Sequence, residues 1–244
     1  MLCKILSFPR IVCGGGRSVR LMEELLRIEA DVKAFVGLSD RSLERALKQE
    51  LLEILEEAEF LFGPRDPSIE LLEPRISEKS YGQGYGGRKI RIYLTSRSKN
   101  EPWVASYELS HEAIHMLSPV NWGVATVLEE GLATYFSFKY VNRVHGIQLT
   151  TAGRRKYDAA QRGVSSLLSE NQFLIKELRV HQPVISKIDE KLMVEVGNVE
   201  PSLAKFLCSD FETHGGGSRL ETTLWKDLSD GARNIATGLR SIWD

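Results

Sequence analysis

Apolar residues follow two rhythms along the chain, and the change between them marks its organisation. From Ser39 onward, Leu43, Leu47, Leu51, Ile54, Leu55 and Ala58 recur every three or four residues. That period predicts an amphipathic helix capped by Ser39 and stopped at Gly63-Pro64, with the intervening charges on a solvated face. A shorter helix is expected from Leu21 to Phe35. From Ser68 to Ser96 the rhythm shortens to two. The stretch from Ile69 reads as extended, and Tyr81 to Gly87 (YGQGYGG) as a flexible turn, a hairpin or loop. Ile90, Ile92 and Leu94 alternate with Lys89, Arg91 and Tyr93, which predicts a half-buried strand. Its charged outer face suggests a position near a sheet edge.

After Asn100, a plausible N-cap, the pattern is helical. One helix is expected to run to Leu117 and stop at Ser118-Pro119, and a second covers about Trp122 to Tyr140. Trp103 and Trp122 flank the first of these and should pack its ends. Three or so helices fill Thr151 to Phe211, broken near Pro183 and Pro201. Gly215-Gly216-Gly217 reads as a linker before a terminal helix. The expectation is an α+β protein: a small sheet with an edge strand over the helix that ends at Leu117, followed by a mainly helical C-terminal part. The boundaries fall at 1–38 (a flexible leader), 39–145 (an α+β core), 146–214 (a helical part) and 215–244 (linker and terminal helix).

Composition narrows the function. A formal net charge of -1 lacks the basic footprint of a protein whose main partner is nucleic acid. No apolar run reaches the ~18 residues that a membrane span needs. The first residues, MLCKILSFPRIVCGGGRSVR, are interrupted by Pro9 and Arg10, unlike the unbroken apolar core of a secretory signal. Cys3, Cys13 and Cys208 are odd in number and have no C-x-x-C spacing, so a reducing, cytoplasmic location is expected.

The chemistry concentrates in YELSHEAIHMLSP, Tyr107 to Pro119. Residues four apart share a helix face, so His111 and His115 direct two imidazoles at one point. Glu112 projects about 100 degrees further round, beside that point. This is H-E-x-x-H, two zinc-binding histidines and a glutamate that handles the proton of the attacking water. The helix is apolar on every side, hence buried, and burying these three groups without partners would cost several kcal/mol. A third ligand must come from elsewhere. Downstream, TVLEEGLATYFS (Thr126 to Ser137) offers Glu129 and Glu130 on a second helix, and helical geometry alone leaves both open.

Here the sequence resembles the gluzincin zinc peptidases, the group of thermolysin-like enzymes and zinc aminopeptidases. Their third ligand is a Glu on the helix after H-E-x-x-H, in several branches followed by Gly, an apolar residue and Ala. Glu130-Gly131-Leu132-Ala133 fits, with fourteen residues between His115 and Glu130. The resemblance implies that His111, His115 and Glu130 bind Zn2+ and that Glu112 is the catalytic base. Gly131 and Ala133 would allow close helix approach. Glu129 is then expected to face solvent or to stand behind the ligands.

It also implies that the strand at Ile90 to Leu94 lines a cleft for a peptide or protein substrate. A Tyr or His from the helical part would stabilise the oxyanion, with Tyr135, Tyr140, His145, Tyr157 and His181 as candidates. Three departures stand out. The spacing from His115 to Glu130 is shorter than in the zinc aminopeptidases. Thr134 occupies the position where thermolysin-like enzymes place an Asp supporting a histidine ligand, and no motif for a substrate amino terminus is present. The expectation is a zinc metallopeptidase. The alternatives are a structural-zinc or non-catalytic binding module on such a fold, and a hydrolase of a non-peptide amide.

Overall fold

The computed structural model describes residues 40–78, 82–86, 88–119 and 125–213. The Ser39 cap, the helix at Leu21 to Phe35, Trp122, the glycine linker and the terminal helix lie outside the described residues.

Helix α1, Asp40–Phe62, buries every member of the apolar stripe from Leu43 to Ala58. It stops at Gly63, whose φ of 94° is open to glycine and costly for other residues. Four strands follow: β1, Glu70–Leu71; β2, Arg75–Ser77; β3, Gly82–Gly86; and β4, Lys89–Thr95. Strands β1 and β2 run parallel to β4, and β3 runs antiparallel to it.

The register corrects the placing of β4 near an edge. Ile90 pairs with both Leu71 and Tyr85, and Tyr93 with both Arg75 and Gly82. A strand residue has one neighbour on each side, so β1 and β2 share one flank of β4 and β3 holds the other. Strand β4 is central. Ile90, Ile92 and Leu94 are at most 1% exposed, as the alternation requires. Its polar residues face the open side of the sheet, not a free edge. The glycine-rich stretch is also more regular than a loop, because Gly82–Gly86 makes the first arm of a hairpin with β4.

A 3-10 turn, Ser96–Lys99, leads to α2, Pro102–Leu117. Asn100 is not its cap; it closes the 3-10 turn by donating to the Arg97 carbonyl. The cap position belongs to Glu101, which is extended (φ -126°, ψ 90°) because the residue before a proline is excluded from the helical region. Twelve of the sixteen residues of α2 are buried, consistent with its all-round apolarity. Arg97 lies 5.8 Å from the Trp103 ring centroid, packing the start of this helix. Glu108 ties the helix to the sheet. Its buried carboxylate accepts from Thr95 N (2.8 Å), Thr95 Oγ1 (2.6 Å) and Ser98 Oγ (2.6 Å).

Helix α3, Val127–His145, begins and ends later than the pattern suggested. Thr126 caps it, and the chain around residue 126 is pinned to the far end of the fold by Val127 N to Ser209 O (2.9 Å) and Phe211 N to Ala125 O (3.1 Å). Gly146, at φ 67°, ends it.

The remainder forms α4, Arg155–Leu167; α5, Leu174–His181; a 3-10 turn, Ile185–Lys187; α6, Glu190–Glu195; and α7, Pro201–Leu207. Pro183 follows α5, but Pro201 starts α7, where its missing N–H is harmless. One apolar core runs from Leu43 on α1 to Phe211 beyond α7. The fold is therefore α+β, with a small sheet against α2 and a mainly helical C-terminal part. Among the described residues, no helix is long and apolar enough to cross a membrane.

One cation joins the ends of these layers. Arg179 on α5 is 7% exposed and, among the described residues, donates to carbonyls alone: Phe62 and Gly63 (both 2.8 Å), Pro64 (2.8 Å), Leu117 (3.0 Å) and Pro183 (2.9 Å). These include the C-terminal ends of α1 and α2, where unpaired carbonyls and the helix dipole favour positive charge.

Candidate metal centre

The site is built where α2 crosses α3. His111 and His115 stand one turn apart on α2, with ring centroids separated by 5.2 Å. Glu130, in the first turn of α3, faces both. Its Oε2 lies 3.4 Å from His111 Nε2, and its Oε1 lies 3.7 Å from His115 Nε2. One ligand atom from each of the three residues lies within 4.8 Å of the other two. Two imidazole nitrogens and a carboxylate oxygen thus converge on one point. The buried Glu130 Oε2 has no hydrogen-bond partner, as expected of an oxygen built to bind a cation. The donor set and the orphaned acceptor both fit a divalent metal.

Glu130 reaches this point because α3 and α4 touch. A Cβ on Gly131 would sit 2.5 Å from the Ala160 carbonyl oxygen and 2.9 Å from Val164 Cγ2. Only glycine permits that approach, as the sequence suggested. Thr134 is buried but does not support a histidine; its Oγ1 donates back to the Glu130 carbonyl, 2.9 Å away, along its own helix.

Glu129 does not face solvent. It is 1% exposed, and its Oε1 lies 2.9 Å from His115 Nδ1. Glu112 is also buried, 5% exposed, with its charge acting on His115. Burial opposes charge on His115, but the Glu129 hydrogen bond and the charges of Glu130, Glu129 and Glu112 outweigh it. They hold the imidazole well above the usual histidine range. Burial likewise opposes ionisation of Glu130, and His111 and His115 beside it overcome that, so its carboxyl is held well below the usual range. Three glutamates around two imidazoles make a pocket that calls for positive charge.

Of the five oxyanion candidates, Tyr157 on α4 is at the site, its ring centroid 6.1 Å from that of His111. Tyr140 packs on Phe136 and under Arg143. Tyr135 lies beneath Lys139, His145 binds Ser106 Oγ at 2.7 Å, and His181 is exposed at the end of α5. A residue absent from that set is Tyr107, whose ring stacks at 6.3 Å from that of His111. Its signal was its position one turn before His111, on the same face. Burial comes first in raising both phenols, with Glu130 next; Tyr107 is pushed up to about 12. Both therefore remain proton donors at neutral pH.

Comparison of the chain with models of known families, with curated proteins and with solved structures finds no match.

Proposed function

We propose that the chain is a zinc-dependent peptidase of gluzincin type, with His111, His115 and Glu130 as metal ligands and Glu112 as general base. The observation that carries this reading is the convergence of two imidazole nitrogens and the Glu130 carboxylate within 4.8 Å, with Glu112 on the same helix. Three protein ligands of N, N and O type suit catalytic zinc, because they leave a position for water.

A zinc ion held there supplies Lewis acidity and makes water a nucleophile near neutral pH. The rest is done by the chain's own groups. Glu112 takes the proton of the attacking water and returns it to the departing amine. Its burial strengthens that exchange by excluding bulk solvent. The Tyr157 phenol, whose ring lies beside His111, would donate a hydrogen bond to the developing oxyanion. The balance needs only peptide and water, with no covalent intermediate on the protein.

The test compares purified wild type with Glu112→Gln and His115→Ala. Wild type should carry about one zinc per chain and cleave members of a broad peptide library. Glu112→Gln should keep the zinc and lose turnover, and His115→Ala should lose the zinc. Turnover by Glu112→Gln would refute the assignment of the base.

A further inference from the structure

We propose that Glu129 is the positioning residue of the metal site, fixing His115 so that Nε2, and not Nδ1, is the nitrogen presented to the ion. The inference rests on the metal reading above and adds to it the part that aims one ligand.

Two consecutive glutamates grip opposite edges of one ring. Glu129 Oε1 meets Nδ1 at 2.9 Å, and Glu130 Oε1 faces Nε2 at 3.7 Å. Neighbouring positions on a helix point about 100 degrees apart, so one turn of α3 can reach both sides of an imidazole on α2. A carboxylate only accepts hydrogen bonds, so Nδ1 must carry a proton wherever Glu129 is ionised. In the neutral ring that leaves the lone pair on Nε2, the nitrogen on the side of Glu130 and the metal point.

The burial of Glu129 makes this grip firm. At 1% exposure no water competes for the bond, and its Oε2 has no hydrogen-bond partner to draw the charge elsewhere. A carboxylate in that position also raises the donor strength of the ring. Thr134 does not serve this histidine, because it spends its hydroxyl on its own helix. Ligand and support sit on adjacent residues, so any rotation of α3 moves both together.

The experiment uses the full chain and zinc. Affinity is measured by competition with a chromophoric chelator for wild type, Glu129→Gln and Glu129→Leu, with the His115 ring ¹H–¹⁵N spectrum of the loaded protein as a second reading. Gln keeps an acceptor without the charge and should bind roughly tenfold more weakly; Leu keeps neither and should lose roughly a hundredfold. The proton on Nδ1 should be protected from exchange in wild type and exposed in Leu. Equal losses in Gln and Leu would indicate packing alone, and either variant matching wild type overturns the proposal. Gln is nearly isosteric, so it serves if Leu fails to fold. A wild type that binds no zinc overturns the metal reading itself, an outcome distinct from the other two.

Discussion

Replacing Gly131 by Ala should weaken the protein, against the ordinary rule for helices. In an open helix interior, Gly to Ala gains about 1 kcal/mol, because glycine loses more backbone freedom on folding. At position 131 the added carbon would lie 2.5 Å from the Ala160 oxygen and 2.8 Å from its carbonyl carbon. That is roughly an ångström inside ordinary contact. Both atoms are backbone of α4, so no side-chain rotation relieves the overlap; the two helices must separate. Overpacking of this kind costs typically 1–3 kcal/mol, and rigid backbone places it at the upper end. The net expectation is a loss of about 1–2 kcal/mol, read as a lower urea midpoint at unchanged slope.

Gly163→Ala is the internal comparison. The atoms nearest its new carbon belong to the side chains of Phe206 (3.0 Å) and Leu207 (3.1 Å), not to backbone, so it should be milder. The displacement at Gly131 also carries Glu130 and Tyr157 with their helices, so zinc affinity should fall in the same variant. A Gly131→Ala protein as stable as wild type, or more so, would refute the close approach of α3 to α4 and the account of how Glu130 is delivered.

Two further outcomes are expected. Tyr157→Phe should lower kcat by about 10²–10³ with little change in KM and unaltered zinc content, as for loss of one oxyanion donor; steady-state kinetics check it, and an unchanged kcat would remove Tyr157 from the chemistry. Glu50 on α1 accepts from Ser106, and burial pushes its carboxyl up to about 7 against that hydrogen bond. A carboxyl raised in the folded state adds stability that is fully present below its unfolded value, about 4.3, and is lost as pH rises toward 7. Glu50→Gln should therefore gain stability relative to wild type across that interval in urea melts; a pH-independent difference would contradict the burial.

Legibility followed the range of the interactions involved. Periodicity alone located α1 and α2 and the inward face of β4, because burial of a repeating face is a local property. The shared face of His111 and His115 was legible because an i, i+4 spacing encodes it. The standing of β3 was not, since Gly82–Gly86 has almost no strand propensity of its own and is a strand through its pairing with β4. The central place of β4 was hidden for the same reason. Glu129 and Glu130 could be ranked only by resemblance; that they meet opposite nitrogens of His115 depends on the angle at which α3 meets α2. Arg179 left no local trace, as its partners Phe62 and Leu117 lie 117 and 62 residues away.

That last separation bears on how the protein is made. A nascent chain has already produced the whole of the histidine-bearing helix when 62 residues still divide Leu117 from the guanidinium that closes it. At translation speeds of about 5–20 residues per second, the interval is roughly 3–12 seconds. Through that time the carbonyl ends of two helices await their cation, and the turn carrying His115 is free to fray. A metal held by His111, His115 and Glu130 would then be captured late in biosynthesis, as a seal on a finished fold rather than a seed for it.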